Sequence, residues 1–253
     1  MGYTITQNRI RAINLQPPNN GGLDGIYRQY QHKFTDLVQD KGIWKGHPCF
    51  IIGGGESLDG FDYSKLRNHL TIGVNKAFIR FCPSLIFTVD MRFYKWVTAG
   101  VLNGIDGIDY NKRWQELDVP KVMLCPVSYE KIDSKVYIVR RIVHKLISKN
   151  LLSGIYGSNN SGIAAAMLAI ALGANPVYLV GFDMQVKNRT HWHGGYPEQG
   201  IDDSRRKTKL YKQELDGMAG MIHEAGVEVI NLVTYIGASA LENFPIKLIS
   251  EAL

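Results

Sequence analysis

Apolar residues in this chain fall in short runs separated by polar, helix-spaced segments, and one run frames the rest. Pro48-Cys49-Phe50-Ile51-Ile52 leads straight into Gly53-Gly54-Gly55-Glu56-Ser57-Leu58. Four consecutive apolar residues read as a strand covered on both faces, as in a parallel sheet. Similar runs at Thr71–Val74, Leu85–Val89, Lys121–Leu124, Val177–Phe182 and Val227–Asn231 predict further strands. Helical patterns lie between several of them, at Asp62–Asn68, Met91–Ala99, Ser134–Lys149, Ser161–Leu172 and Asp203–Ala225. The Ser161 helix reads with Ser161 as N-cap, an Ala-rich body and Gly173 as its stop. The last helix spaces Leu210, Leu215, Met218 and Ile222 along one face. Strands alternating with helices predict an α/β fold, a doubly wound parallel sheet in three layers, α/β/α. One domain is expected over residues 42–253. Residues 1–41 form an extension, a polar loop ending in Gln16–Gly22 and then a helix over 24–41. That extension reads as a lid or as a homo-oligomer contact.

In such a sheet, ligands bind beyond the C-terminal ends of the strands. The rule selects Gly53–Ser57, Asn75 with Lys76, Asp90, Asn159–Gly162 and Asp183. Glycines turn sharply and let a phosphate approach backbone N–H groups. No Gly-Lys-Ser/Thr follows, so this is no Walker loop. Leu58 stands where the dinucleotide fingerprint needs its third glycine. A ligand-free strand-to-helix turn is the alternative. Asn160, Ser161 and Gly162 at a helix N-terminus suit an anion, or simply cap the helix. Asn75 suits a ribose or base edge, or a turn. Asp90 and Asp183 suit Mg²⁺ or a sugar hydroxyl, or N-caps. His191-Trp192-His193 offers a general base near neutral pH. A zinc site would need further ligands that the neighbouring sequence lacks. Gly194-Gly195, with Lys187 and Arg189 close by, reads as a mobile loop near 185–205 that closes over substrate. A solvated loop is the alternative there.

Composition narrows the partners. The 253 residues are 45% hydrophobic and 21% charged, ordinary for a folded protein. A net charge of +6 permits an anionic ligand without demanding nucleic acid. The run Arg205-Arg206-Lys207-Thr208-Lys209 reads as a solvated helix face, and no aromatic-basic interleaving marks a nucleic-acid surface. Cys49, Cys82 and Cys125 form no CxxC motif and no even set, which predicts a reduced, cytoplasmic protein. The first nine residues lack the apolar core of a signal peptide, so none is expected. The longest apolar stretch, Ile163–Leu172, is too short to span a bilayer.

The segment Phe50–Leu58, followed by Asp62-Tyr63-Ser64-Lys65-Leu66, resembles the opening of the bacterial family-42 sialyltransferases. It is also similar to the related domain of motility accessory factors and archaeal 6-hydroxymethylpterin diphosphokinases. Gly73-Val74-Asn75-Lys76-Ala77-Phe78 and the stretch from Asn160 to Asp183 extend the resemblance over residues 48–240. It implies a Rossmann-like fold that holds a nucleotide phosphate without a Walker loop. In the sialyltransferases the donor is CMP-sialic acid, a His is the base and no metal is required. In the diphosphokinases the donor is ATP with Mg²⁺. Glu56 replaces the families' Pro, and Gln185 stands where the sialyltransferases carry a phosphate-contacting Tyr. His191 and His193 follow Asp183 sooner than the sialyltransferase base does. That spacing, with Val89-Asp90 and Asn231–Ala238, leans towards the motility-factor and diphosphokinase branch.

The expectation is a nucleotide-dependent transferase, a glycosyltransferase first, moving a sugar from a nucleotide-activated donor to a hydroxyl acceptor. It needs no cofactor. Gly53, Gly54, Gly55, Ser57, Asn160, Ser161 and Gly162 would hold phosphate, and Asn75 the ribose or base. His193 or His191 would deprotonate the acceptor, with Asp183 beside them, and Lys187 or Arg189 would offset leaving-group charge. Asp90 and Tyr196 would meet substrate or belong to the lid. One alternative is a Mg-ATP diphosphokinase acting on a pterin-like alcohol, with Asp90 and Asp183 as Mg²⁺ ligands. The other is a nucleotide- or sugar-binding module without turnover, motivated by Glu56 and Gln185.

Overall fold

In the computed structural model, which describes residues 22–38, 42–194, 196–197 and 201–253, the strands follow the apolar runs. In chain order they are β1 (Cys49–Ile52), β2 (Leu70–Val74), β3 (Leu85–Thr88), β4 (Lys121–Leu124) and β5 (Val136–Val139). Then come β6 (Arg141–Ile142), β7 (Ile155–Tyr156), β8 (Val177–Val180), β9 (Val229–Val233) and β10 (Ile246–Leu248). The helices are α1 (Leu23–Gln29), α2 (Phe34–Val38), α3 (Met91–Thr98), α4 (Tyr110–Glu116), α5 (Ser161–Ala171), α6 (Ile201–Asp216) and α7 (Ala219–Glu224).

Eight strands form one sheet in the order β10-β9-β8-β1-β2-β3-β4-β5, and every pairing in it is parallel. β6 and β7 make a small separate pair. β1 lies inside the sheet between β8 and β2, and all four of its side chains are buried. Cys49 and Ile51 pack with α5 and α7 on one face, while Phe50 and Ile52 pack with α3 and α4 on the other. The three-layer α/β/α expectation holds. The chain builds outward from β1 to β5, then returns through α5 to place β8 on the other side of β1. The order therefore reverses between β1 and β8, and that crevice is where such sheets take ligands.

Several predicted elements come out differently. Residues 134–149 were expected to be helical, but Val136–Val139 pair with β4, Lys121 opposite Val136, and the chain continues as β6. The β-branched residues there complete an otherwise open sheet edge, and that long-range pairing outweighs the local helical pattern. Asp62–Asn68 shrinks to a 3-10 turn at Tyr63–Leu66. The last helix breaks between α6 and α7 at Gly217-Met218. The eighth strand stops at Val180 because Gly181, at φ +71°, turns the chain.

The helix expected over 24–41 is two short helices, and residues 39–41 lie outside the described set. So do residues 1–21, on which the loop expectation falls. Between α1 and α2, the His32 carbonyl accepts from Ile138 N–H at 2.8 Å and Lys33 bridges to Ile138. Arg140 holds Asp24 through two bonds of 2.8 and 2.7 Å. Residues 22–38 thus cover the outer edge of β5, a common way of blunting an exposed strand.

Candidate active site

The glycine turn after β1 is shaped first by its neighbour β8. Gly53 N–H donates to Val180 O at 2.8 Å and Gly55 N–H to Gly181 O at 2.9 Å. A Cβ on Gly53 would sit 2.7 Å from Gly181 O, and one on Gly55 only 2.3 Å from Asp183 Oδ1. Glycine is required there by backbone approach. Two of the three amides expected to cradle phosphate are spent on the sheet, while Gly54 N–H meets no described partner. Ser57 closes the turn, its N–H donating to Asp183 Oδ2 at 2.8 Å and its hydroxyl to Oδ1 at 2.6 Å. Burial lifts the Asp183 carboxyl above the ordinary range, with both Ser57 bonds opposing. Asp183 and Ser57 therefore fasten β8 to β1, and Ser57 does not line the cleft.

The histidine segment is stitched down. Gln185 Nε2 donates to the Gly237 and Ala238 carbonyls at 3.0 and 2.9 Å. Lys187 Nζ donates to Gly237 O at 3.1 Å, and Arg189 pairs with Asp59. Neither cation lines the cleft. Trp192 N–H and its indole N–H donate to Gly54 O and Gly53 O at 3.2 and 3.1 Å. Gly194 N–H donates to Asp106 Oδ1 at 2.8 Å. Residues 185–194, expected as a closing or a solvated loop, are tied to the sheet's end by these bonds, while Lys187, Asn188, Arg189 and Gly194 stay exposed; Gly195 and residues 198–200 lie outside the described set.

His191 and His193 stack with ring centroids 4.6 Å apart, and Tyr196 meets both edge-on at 5.3 and 5.2 Å. Burial pushes the His191 imidazole down to about 4, with the Lys76 ammonium acting in the same direction. Burial, His191, Lys76 and Arg80 hold His193 well below its ordinary 6.5. Both rings are neutral at pH 7. Lys76 itself is fully buried, its Nζ 4.9 Å from the Tyr110 ring and 5.1 Å from the Tyr196 ring. Burial lowers that ammonium to about 8, while Asp106 opposes the shift.

At α5, Asn160 is the N-cap where Ser161 was expected. Its Oδ1 accepts from Gly162 N–H at 2.7 Å and Ile163 N–H at 3.0 Å. The Ser161 hydroxyl instead accepts from Val89 N–H at 3.1 Å, tying the helix to the end of β3. Asn75 follows β2 with φ +50°, and its buried Oδ1 has no hydrogen-bond partner among the described residues. Asp90 caps α3, accepting from Arg92 N–H at 2.9 Å. Asp90 and Asp183 are thus engaged separately, and no group of three or more metal-binding side chains occurs among the described residues.

These elements surround one cleft of about 280 Å³ at the β1/β8 crevice. That is near the lower end of small-molecule sites, which run about 300–1,000 Å³. Gly53, Gly54, Gly55, Asn75, Asp90, Asn160, Ser161, Gly162, Asp183, His191, His193 and Tyr196 all line it. Sequence reasoning missed the opposite wall, formed by Arg92 and Trp96 of α3 and by Ser204, Lys207, Thr208 and Tyr211 of α6. The α6 residues recur at helical spacing as a stripe of hydrogen-bonding side chains. That stripe was the available signal, hidden inside what reads as a solvated basic run.

No family model matches the chain, and no curated protein matches it. Among solved structures, the chain is similar to the sialyltransferase CstII from Campylobacter jejuni, analysed in complex with the substrate analogue CMP-3FNeuAc. The TM-score is 0.43 at 16% sequence identity, covering 80% of this chain and 86% of that one.

Proposed function

We propose that this chain is a nucleotide-dependent transferase that moves a sugar from a nucleotide-activated donor to a hydroxyl acceptor. One observation carries the reading: a neutral, packed imidazole pair faces the same switch-point cleft as the N-terminus of α5. Gly54 N–H and the positive end of α5 take the donor phosphate. Asn75 Oδ1, buried and without a partner among the described residues, receives a ribose hydroxyl or a base amine. His193 or His191 accepts the proton of the acceptor hydroxyl, whose oxygen bonds to the anomeric carbon. The bond from that carbon to the phosphate oxygen breaks, and its electron pair leaves with the nucleotide.

A neutral imidazole is the form this step needs, although a pKa near 4 makes a weak base. An anionic donor beside the rings raises that value, since an opposite charge favours the protonated form. Lys187 and Arg189, expected to offset leaving-group charge, point elsewhere; Lys207 and Arg92 are the cations that line the cleft. This reading uses no bound metal. The diphosphokinase alternative would free Asp90 and Asp183 from their capping and clamping bonds. Three unpaired thiols support a reducing, cytoplasmic setting, and no described helix is long and apolar enough to cross a membrane.

The test is a thermal-shift panel of CMP, CDP, UDP, GDP and ATP, each with and without Mg²⁺. A ligand that binds the native state raises the midpoint by mass action. Stabilisation by a nucleotide without metal supports this reading and names the donor class. A shift with ATP only when Mg²⁺ is present favours the diphosphokinase. Binding without transfer to any acceptor leaves a binding module, and no shift at all overturns the nucleotide site.

A further inference from the structure

Glu56 is the residue that replaces proline in the resembling families, and its carboxylate does not line the cleft. Oε2 accepts from two successive backbone amides, Asn188 N–H and Arg189 N–H, each at 3.1 Å. Bonds from N–H groups to an ionised carboxylate are roughly twice as strong as neutral ones. The Arg189 side chain then folds back onto Asp59, so main chain and side chain both tie this point to the 56–59 turn.

Two residues on, the His191 ring lies over Gly54, close enough that a Cβ there would meet His191 Cδ2 at 2.8 Å. Beyond it, Trp192 is fixed to Gly53 and Gly54. Anchors at 188–189 and at 192 therefore bracket His191, and both belong to the turn that lines the cleft. Facing the cleft, Glu56 would repel an anionic donor. Turned onto these amides, it joins the histidine segment to the glycine turn.

We propose that Glu56 is a positioning residue for the His191–His193 pair, its carboxylate clamping the Asn188 and Arg189 amides so that both imidazoles stay packed against Gly54 and Tyr196. The proposal rests on the reading of these histidines as the general base. Among the described residues, the groups facing the rings include Lys76, Arg80, Tyr196 and the Trp192 indole, with Thr190 Oγ1 on His191 Nδ1 at 3.0 Å. Loosening the segment exposes the rings to water and relieves the burial that holds them neutral.

The experiment is an NMR titration of the His191 and His193 ring protons, without nucleotide, in the wild type, E56A and E56Q. His191→Asn and His193→Asn supply the assignments. In E56A the His191 midpoint is expected to move from about 4 toward 6.5, and His193 to follow. E56Q keeps a carbonyl oxygen for both amides and is expected to titrate as the wild type does. Under a donor identified by the nucleotide panel, E56A is expected to lose about 10- to 100-fold in kcat, with KM held within about threefold. An unchanged histidine titration in E56A overturns the proposal, as does an E56Q that titrates like E56A. Should E56A not fold, E56D, one methylene short of the amides, reads the same two outcomes. The titration uses no ligand, so a failure to bind any nucleotide sinks the transferase reading and leaves Glu56 to be decided separately.

Discussion

The indole N–H of Trp192 donates to the carbonyl of Gly53 at 3.1 Å, so the segment carrying both histidines is docked on the first turn of the sheet. Its main-chain N–H makes a second bond, to Gly54 O. The glycine turn is thus a platform for the histidines as well as a wall of the cleft.

Alanine at the two adjacent glycines separates these roles. At Gly55 the new methyl meets Asp183 Oδ1 at 2.3 Å and Gly181 O at 2.7 Å, a backbone atom that cannot swing away. Gly55→Ala is expected to lose about 3 kcal/mol or more in urea unfolding, the upper range for overpacking. At Gly54 the nearest neighbour is the His191 ring, which can tilt. Gly54→Ala is expected to cost about 1 kcal/mol while shifting the His191 ring resonances. Equal losses at the two sites would contradict this geometry.

The histidine pair also sets a pH dependence. The folded protein holds His191 near 4 against an ordinary 6.5, so between those values the unfolded chain binds more protons. Stability is therefore full above 6.5 and is lost as pH falls toward 4. His193 is shifted in the same direction and adds to the loss. The His191 share is on the order of 2–3 kcal/mol. Urea midpoints measured from pH 7 down to pH 4 check it, and His191→Asn is expected to flatten the slope.

Helix α5 tests which residue caps it. Asn160→Ala removes the acceptor of two helix N–H groups and is expected to cost about 1–2 kcal/mol. Ser161→Ala leaves the cap intact and removes only the bond from Val89 N–H, a loss of about 1 kcal/mol. Thermal unfolding of both variants gives the order, and a larger loss at Ser161 would restore it as the cap.

Asn231 sits fully buried in β9, with neither Oδ1 nor Nδ2 hydrogen-bonded among the described residues. A buried amide without partners costs about 1–3 kcal/mol, and an apolar side chain of similar volume escapes that cost. Asn231→Leu is expected to raise the unfolding midpoint; a lower one would point to an ordered water bonded to the amide.

Much of the frame was legible in the chain. The apolar runs at Cys49–Ile52, Lys121–Leu124 and Val177–Val180 are strands because a parallel strand between two helical layers must be apolar on both faces. The Ala-rich body of α5, apolar from Ile163 to Ala171, marked a helix, and it is buried on every side. Position at the strand ends then picked out most of the cleft.

What the local pattern did not carry was decided by partners distant in sequence. β5 reads as helix until β4 offers it an edge. The Ser57 hydroxyl turns to Asp183, 126 residues on, rather than to a ligand, and Glu56 turns to amides 132 and 133 residues on. Lys187 and Arg189 leave the cleft for the same kind of reason, while α6 brings Lys207 and Tyr211 into it. Hydrophobic periodicity records which face of an element is buried, and that much the sequence determined alone. The direction of a polar side chain in a loop depends on which donor or acceptor the folded chain brings within about 3 Å, and only the tertiary structure decides that.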